Sequence, residues 1–371
     1  MDTSLIRDSA LRDSLEKARG TAVFKSLFEM AIKRQAHHDA KLAERAKLTE
    51  AQAAAAALAA RERAGQLAAM PRESRRRAIV REVFENQAPS LQDVRHIHSV
   101  LAICGMPYDR LPVSERDYGC QHGNMAVDVQ AGFLRGPNGD KIYQPVPFGP
   151  KARLILIHLC SEAIRQKSPT IEIAETFTAF VRDMGFPDSG GKKGPLNAFK
   201  EQLNALAACT IRITARDRNQ DRMRSKSFVP IEGFDVWLSD NPDQRSLWPS
   251  TVTFGPTMYE SLSKHALPVN AKAVRAFAGS SRKLDLYFWL GWRLYHIQTP
   301  LHISWSSLKG QFGQTVTSRD RKFRQMFAQD LSDICEVFPK LPLKLDETGL
   351  HLEPAGPEVL ALPPPPPSRK S

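Results

Sequence analysis

Residues 302–338 read HISWSSLKGQFGQTVTSRDRKFRQMFAQDLSDICEVF, and their spacing settles how the chain is organised. His302–Trp305 has the make-up of a short strand, and Ser306–Phe312 that of a short helix ended by Gly313. Thr317 or Ser318 is placed to cap a second helix. In that helix Phe323, Met326, Phe327, Leu331, Ile334 and Phe338 recur three or four residues apart, the spacing of one docked stripe. Pro339 stops it. Upstream, Leu284, Tyr287, Phe288, Gly291 and Leu294 form one face of a long helix; downstream, Leu343–Leu345 and Leu350–Leu352 flank Asp346-Glu347-Thr348-Gly349 as a terminal hairpin. Helix, strand, helix, helix, strand, strand is the order of a winged helix-turn-helix.

The same order is expected once before. Gly149-Pro150 opens a helix that continues through Leu154–Ile157, Cys160, Ala163 and Ile164. A strand at Thr170–Ile173, a helix over Glu175–Met184 and a Gly/Lys turn at Ser189–Gly194 follow. Pro195 then begins a helix docked by Leu196, Phe199, Leu203 and Leu206. Thr210–Thr214 and Phe228–Leu238 are expected as the two wing strands around a charged tip. Ahead of this lie a short helix from Ser90 to Ile103 and two strand-like runs, Met125–Arg135 and Lys141–Phe148. Between those runs Pro137-Asn138-Gly139-Asp140 suits a hairpin turn.

Residues 1–86 differ in kind. Lys41–Met70 has no Pro and one Gly, and is built of Ala, Arg, Glu and Lys, so it reads as one or two long helices. Arg61 to Arg81 holds seven Arg against two Glu, either a solvated face or a basic arm lying on nucleic acid. The expected fold is therefore α+β and helix-rich: tandem winged helix-turn-helix domains with an N-terminal helical extension. Its parts are a basic Ala/Arg-rich extension (1–86), a first winged-helix domain with a preceding hairpin (87–250), a second (251–355), and a disordered Pro-rich tail (356–371).

The whole chain of 371 residues carries 52 Lys plus Arg against 40 Asp plus Glu, a formal charge of +12. The sequence pI is near 9.6, a balance that favours polyanions, nucleic acid first. No apolar run approaches a membrane span, the N-terminus has no secretory apolar core, and five scattered cysteines suit reduced thiols. A cytoplasmic location with no membrane partner is expected.

The charges fall where a helix-turn-helix meets DNA. Arg319, Arg321, Lys322 and Arg324 crowd the first turns of the last long helix with Asp320 as their one opponent, although the macrodipole disfavours cations at an N-terminus. The N-terminal part of such a helix points into the major groove. In the first unit Lys192 and Lys193 precede the corresponding helix, and Asn197 and Lys200 lie off its apolar stripe. Arg212, Arg216, Arg218, Arg222, Arg224 and Lys226 then make one basic hairpin.

Enzymatic patterns are weaker. Gly190–Gly194 lacks the Ser or Thr of a phosphate loop. His96-Ile97-His98 matches the pair of rolling-circle nickases but falls in an expected helix, where residues two apart diverge. Cys120-Gln121-His122 with Cys104 has no Cys-x-x-Cys pair for zinc. Trp289 and Trp292 read as packing. No catalytic residue, metal or cofactor is expected.

From about Leu101 to Glu353 the chain resembles the plasmid-encoded RepA replication initiators. The resemblance rests on Pro147-Phe148-Gly149-Pro150-Lys151-Ala152-Arg153-Leu154, on Leu159-Cys160-Ser161-Glu162-Ala163 and on Val269-Asn270. It continues through Leu284-Asp285-Leu286-Tyr287-Phe288-Trp289-Leu290, Ile303-Ser304-Trp305-Ser306-Ser307-Leu308, Gln311-Phe312-Gly313 and Phe323-Arg324-Gln325-Met326-Phe327. It implies a bacterial, plasmid-encoded, non-enzymatic protein that binds repeated duplex sequences at an origin and recruits the host initiator and helicase. A second copy of the chain is a further candidate partner. A winged-helix repressor and an origin-nicking enzyme are the rival readings.

Overall fold

The structure, a computed structural model, describes residues 2–136, 138–173, 176–186, 195–217, 222–234, 251–313 and 320–364. The chain divides into two units, Met1–Met70 and Pro71–Ser371. In the first, α1 (Ser9–Lys17) is capped by the Asp8 carboxylate and α2 (Phe24–Ala69) runs for 46 residues. Ile6, Leu15, Phe28 and Ala31 form its small core at one end of α2. Past Ala31 no described α2 residue is buried, so helix propensity carries the rest.

The second unit opens with α3 (Arg72–Asn86), β1 (Val94–His98) and α4 (Ser99–Ile103), followed by β2 (Asp117–His122), β3 (Met125–Gln130), and the hairpin β4 (Phe133–Arg135) and β5 (Lys141–Tyr143). Then come α5 (Gly149–Gln166), β6 (Thr170–Glu172), α6 (Thr176–Asp183), α7 (Pro195–Ala208), β7 (Thr210–Asp217), β8 (Arg222–Phe228), β9 (Ile231–Phe234) and β10 (Thr251–Phe254). A connecting stretch, α8 (Pro256–His265), β11 (Ala266–Asn270) and α9 (Ala271–Phe277), leads to α10 (Ser281–His296), β12 (Leu301–Ser304), α11 (Trp305–Phe312), α12 (Asp320–Val337), β13 (Leu343–Leu345) and β14 (Gly349–Leu352).

An internal repeat emerges from strand pairing. In the later half β14 lies between β12 and β13, antiparallel to both. In the earlier half β10 lies between β6 and β9, again antiparallel to both. Helix–strand–helix–helix followed by a strand pair thus occurs twice with one sheet order, as α5-β6-α6-α7-β9-β10 and α10-β12-α11-α12-β13-β14.

Four expectations change. The segment after β14 is not a disordered tail throughout: Pro357–Leu360 forms a helical turn, and Leu360, Ala361 and Leu362 are buried in the main core because they are apolar and reach it. The Asn270 side-chain amide donates to the Ala361 carbonyl, and residues 365–371 lie outside the described residues. Thr210–Thr214 and the chain from Phe228 are not the strand pair matching β13–β14. The hairpin β7–β8 is inserted before that pair and joins β3, with Ile213 opposite Val127, in the sheet β2-β3-β7-β8. Pro230, which has no N–H, separates β8 from β9. A boundary at 250/251 would cut β10 from its sheet, so the first repeat extends to Phe254. The stretch Ser90–Ile103 is only partly helical: Val94–His98 pairs with Ala266–Asn270, Ile97 opposite Leu267, because a distant partner offers a full ladder to a β-favourable run.

The N-terminal boundary moves as well, from near 86 to Met70/Pro71. Helix α3 belongs to the second unit, where several of its arginines are already engaged. Arg77 is buried and meets Asp333 at 3.1 Å and Glu336 at 2.7 Å, both on α12. Arg72 and Arg76 donate to the Gly185 carbonyl, and Arg81 pairs with Glu85.

One hydrophobic core runs through both repeats, and α10 is its axis, buried all round from Leu284 to Leu290 rather than along one stripe. Asp285 of α10 takes a bidentate guanidinium from Arg153 of α5, at 2.6 and 2.7 Å. The other Arg153 hydrogens go to the carbonyls of Met106, Pro107 and Gly149.

Two predictions follow from these buried charges. Asp285→Ala strands a desolvated guanidinium and should lower unfolding free energy by about 3–5 kcal/mol in urea titrations. Arg153→Met should then cost less in the Asp285→Ala background than alone, since no carboxylate remains to be orphaned. Burial also pushes His98 and His158 down to about 4. Both are neutral in the fold, whereas the unfolded chain binds protons below about pH 6.5. Stability is therefore full above that value and is lost as pH falls towards 4. His98→Asn should flatten the decline in urea midpoints across that window.

Candidate nucleic-acid interface

The first turns of α12 are amphipathic in charge as well as in hydropathy. Phe323 and Phe327 are buried, with Leu331 and Ile334 continuing their stripe. Arg321, Lys322 and Arg324 are exposed. Arg321 and Arg324, three apart, share the outward face. Asp320 is held by Lys309 of α11 at 2.7 Å, and that ammonium keeps its carboxyl below the usual range. Arg319 and the candidate caps Thr317 and Ser318 lie outside the described residues. Between α11 and α12 a cleft of about 470 Å³ is lined by Trp305, Ser306, Lys309, Phe323 and Arg324 among others.

The sequence reading missed the groups that hold this face in place. Ser304 caps α11 by accepting from the Ser307 N–H. Trp305 opens the helix, and its ring lies 5.3 Å from the Arg324 guanidinium carbon. A tryptophan directly after a strand is the signal the sequence offers, although Trp305 also extends the strand-like run His302–Trp305.

In the first repeat α7 is docked by Phe199, Leu203 and Leu206, all buried, with Leu196 half-buried. Asn197 is exposed; Lys200 is half-buried, and burial holds its ammonium below the ordinary lysine range. Gln202, buried, accepts from the Phe148 N–H and so ties α7 to the start of α5. Lys192 and Lys193 lie outside the described residues.

The basic hairpin is not one patch. Cross-strand partners share a face, so Arg212 (opposite Ser227 and Asp128) and Arg216 (opposite Met223) project from one side of the sheet. Arg212 donates to Ser227 Oγ at 3.0 Å. Arg224 and Lys226, opposite Ala215 and Ile213, project from the other, the side on which Val127 and Ile211 are buried. Arg218 and the Arg222 side chain lie outside the described residues.

The His-x-His pair sits on strand β1 rather than in a helix, so its two positions share a face. His98 is nonetheless a capping group: Nδ1 accepts from the Val100 N–H at 3.2 Å and Nε2 meets Ser261 Oγ at 2.9 Å. Among the described residues no cluster of three or more His, Cys, Asp or Glu is arranged to hold a metal. Trp289 is fully buried, edge-on to Phe312, in keeping with packing.

Residues 146–306 match the model of the family described as plasmid encoded RepA protein, so the resemblance drawn from the sequence holds over that span. The span takes in the whole first repeat, α10 and β12, and stops before α12. Among solved structures the chain is similar to the crystal structure of domains 2 and 3 of RctB, with 11% identity, 66% of this chain and 87% of that chain covered, and a TM-score of 0.41. No curated protein matches the chain.

Paired substitutions resolve which surfaces matter. Arg321→Lys or Arg324→Lys keeps the charge but loses the planar fork, and should reduce binding to a selected duplex about tenfold while random-duplex affinity and melting stay near wild type. Phe327→Ala should instead lower the melting temperature and all binding together. On the hairpin, Arg212/Arg216→Ala and Arg224/Lys226→Ala separate the two faces. If one face of the hairpin meets phosphates, its double variant should weaken selected and random duplexes equally while the other changes neither; no loss from either variant would exclude the hairpin as a DNA contact.

Proposed function

We propose that the protein is a plasmid replication initiator of the RepA type that grips repeated duplex DNA at an origin through two winged helices. The two copies of one topology are the winged helices, α5–β10 and α10–β14. In this reading α7 and α12 are the recognition helices, and β13–β14 is the second wing. The hairpin β7–β8 is an additional basic ribbon belonging to the first.

The observation that carries this reading is α12. Its N-terminal turn exposes three cations on a face opposite a continuous buried stripe, at the helix end whose dipole repels them. Phosphates and guanine edges supply the anionic and acceptor groups such a face needs. The RepA family match over residues 146–306 supports the plasmid context and the initiator role. In this reading the protein acts in the cytoplasm by binding, without catalysis, and brings the host initiator and helicase to the opened site.

Salt dependence is the first test. If six to ten phosphates are neutralised, affinity should fall roughly a thousandfold or more between 50 and 200 mM salt. A flat response would remove the electrostatic argument. A footprint across the non-coding DNA beside the gene should show repeated protected sites. A plasmid carrying that DNA should be maintained only when the protein is supplied. Protection without maintenance would favour a repressor, and metal-dependent nicking of the supercoiled plasmid would favour the enzyme.

A further inference from the structure

We infer that Trp305 is a positioning residue for base recognition: one indole fixes both the Arg324 guanidinium and the β13–β14 turn relative to α12. The inference rests on the reading of α12 as a recognition helix and assigns the part that sets its precision.

Trp305 is where three elements meet. Its ring packs edge-on against Phe323 and Phe327, with centroids 6.2 and 5.9 Å away at near-right angles, which seats it on the buried stripe of α12. Its indole N–H donates to the Asp346 carbonyl at 3.0 Å, in the turn of the terminal hairpin. The Arg324 guanidinium carbon lies 5.3 Å from the ring centroid, within the range of a cation–π contact.

The ring is the direct contact of the Arg324 guanidinium. Asp320, one turn earlier on the same helix, acts on it only through space, since its carboxylate is hydrogen-bonded to Lys309. Asp346 spends its carboxylate on its own turn, accepting from the Thr348 N–H and hydroxyl and the Gly349 N–H, and pairing with His351 at 2.8 Å. Among the described residues no carboxylate forms an ion pair with Arg324. A free arginine side chain loses rotamer entropy when it docks on a base edge. One already resting on a ring has lost part of it beforehand, and the hydrogen bond to Asp346 keeps the turn in register with it.

The test is a mutant cycle read on DNA. The wild-type full-length chain selects its best duplex from a randomised pool, and binding to that duplex and to a scrambled one gives a specificity ratio. Trp305→Leu should lower the ratio at least tenfold, chiefly on the selected duplex, and less than twofold when Arg324 is already Ala. Trp305→Phe keeps a ring but loses the N–H, and should lower it only about threefold. An equal loss from Trp305→Leu in both backgrounds, or an unchanged ratio, overturns the inference. Should Trp305→Leu fail to fold, the same cycle with Trp305→Phe decides: its threefold loss must be clearly smaller in the Arg324→Ala background, and an equal loss in both overturns the inference. If Arg324→Ala and Arg321→Ala themselves bind the selected duplex at wild-type strength, the recognition-helix reading falls, and this inference with it.

Discussion

A buried ion pair between Arg153 and Asp285 joins the leading helices of the two repeats, and the relation between the repeats depends on it. Both side chains are almost inaccessible, at 2% and 6% exposure. Such a pair contributes only if its remaining hydrogens are satisfied, because desolvation alone costs several kcal/mol per ion. Here the three carbonyls of Met106, Pro107 and Gly149 complete the guanidinium. The chain is shaped around that demand. Gly105 carries no Cβ because one would fall 2.2 Å from an Asp285 oxygen, and Gly149 adopts a positive φ of 75° at the turn into α5. Apolar side chains would pack at any of several rotations between α5 and α10, whereas a bidentate fork with fixed carbonyl partners accepts one.

The two repeats share one hydrophobic core around that pair. Helix α10 is wrapped on every side, α3 is pinned to α12 through Arg77, and Lys283 of α10 reaches Asp333 of the same helix at 2.5 Å. The segment 71–86, which looks in isolation like more of the charged N-terminal helix, is thereby drawn into the second unit.

The legible part of this fold was the part coded locally. The stripes Phe199/Leu203/Leu206 and Phe323/Phe327/Leu331 give α7 and α12 directly, Asn138-Gly139 gives the β4–β5 hairpin, and Pro339 marks where α12 ends. What sequence reading missed depends on partners far along the chain. Val94–His98 becomes a strand through pairing with residues more than 160 positions later, and nothing in five residues announces that. The first strand of the β7–β8 hairpin was legible, but its return strand Arg222–Phe228 fell in what reads as a charged tip, and its sheet is decided by β3, upstream of the whole repeat. Arg61–Arg81 looked uniform in charge, yet Arg77 is buried in an ion network and Arg81 is paired along its own helix. Composition counts charges without saying which of them folding has already matched.

Helix α12 shows the difference between matched and unmatched charge within a single element. Its C-terminal half carries Asp330 and Asp333, both buried, where an unmatched carboxylate would be costly. The fold answers them with cations from other helices: Arg282 for Asp330, and Arg77 and Lys283 for Asp333. Its N-terminal end carries Arg321, Lys322 and Arg324 where the dipole disfavours positive charge, and the adjacent carboxylate, Asp320, is engaged by Lys309. An aromatic ring under Arg324 orients its charge without neutralising it. Among the described residues, the charges at the docked end of this helix are matched by cations from other helices, whereas Arg321, Lys322 and Arg324 at its other end stand exposed, which is the asymmetry the proposed reading of α12 uses.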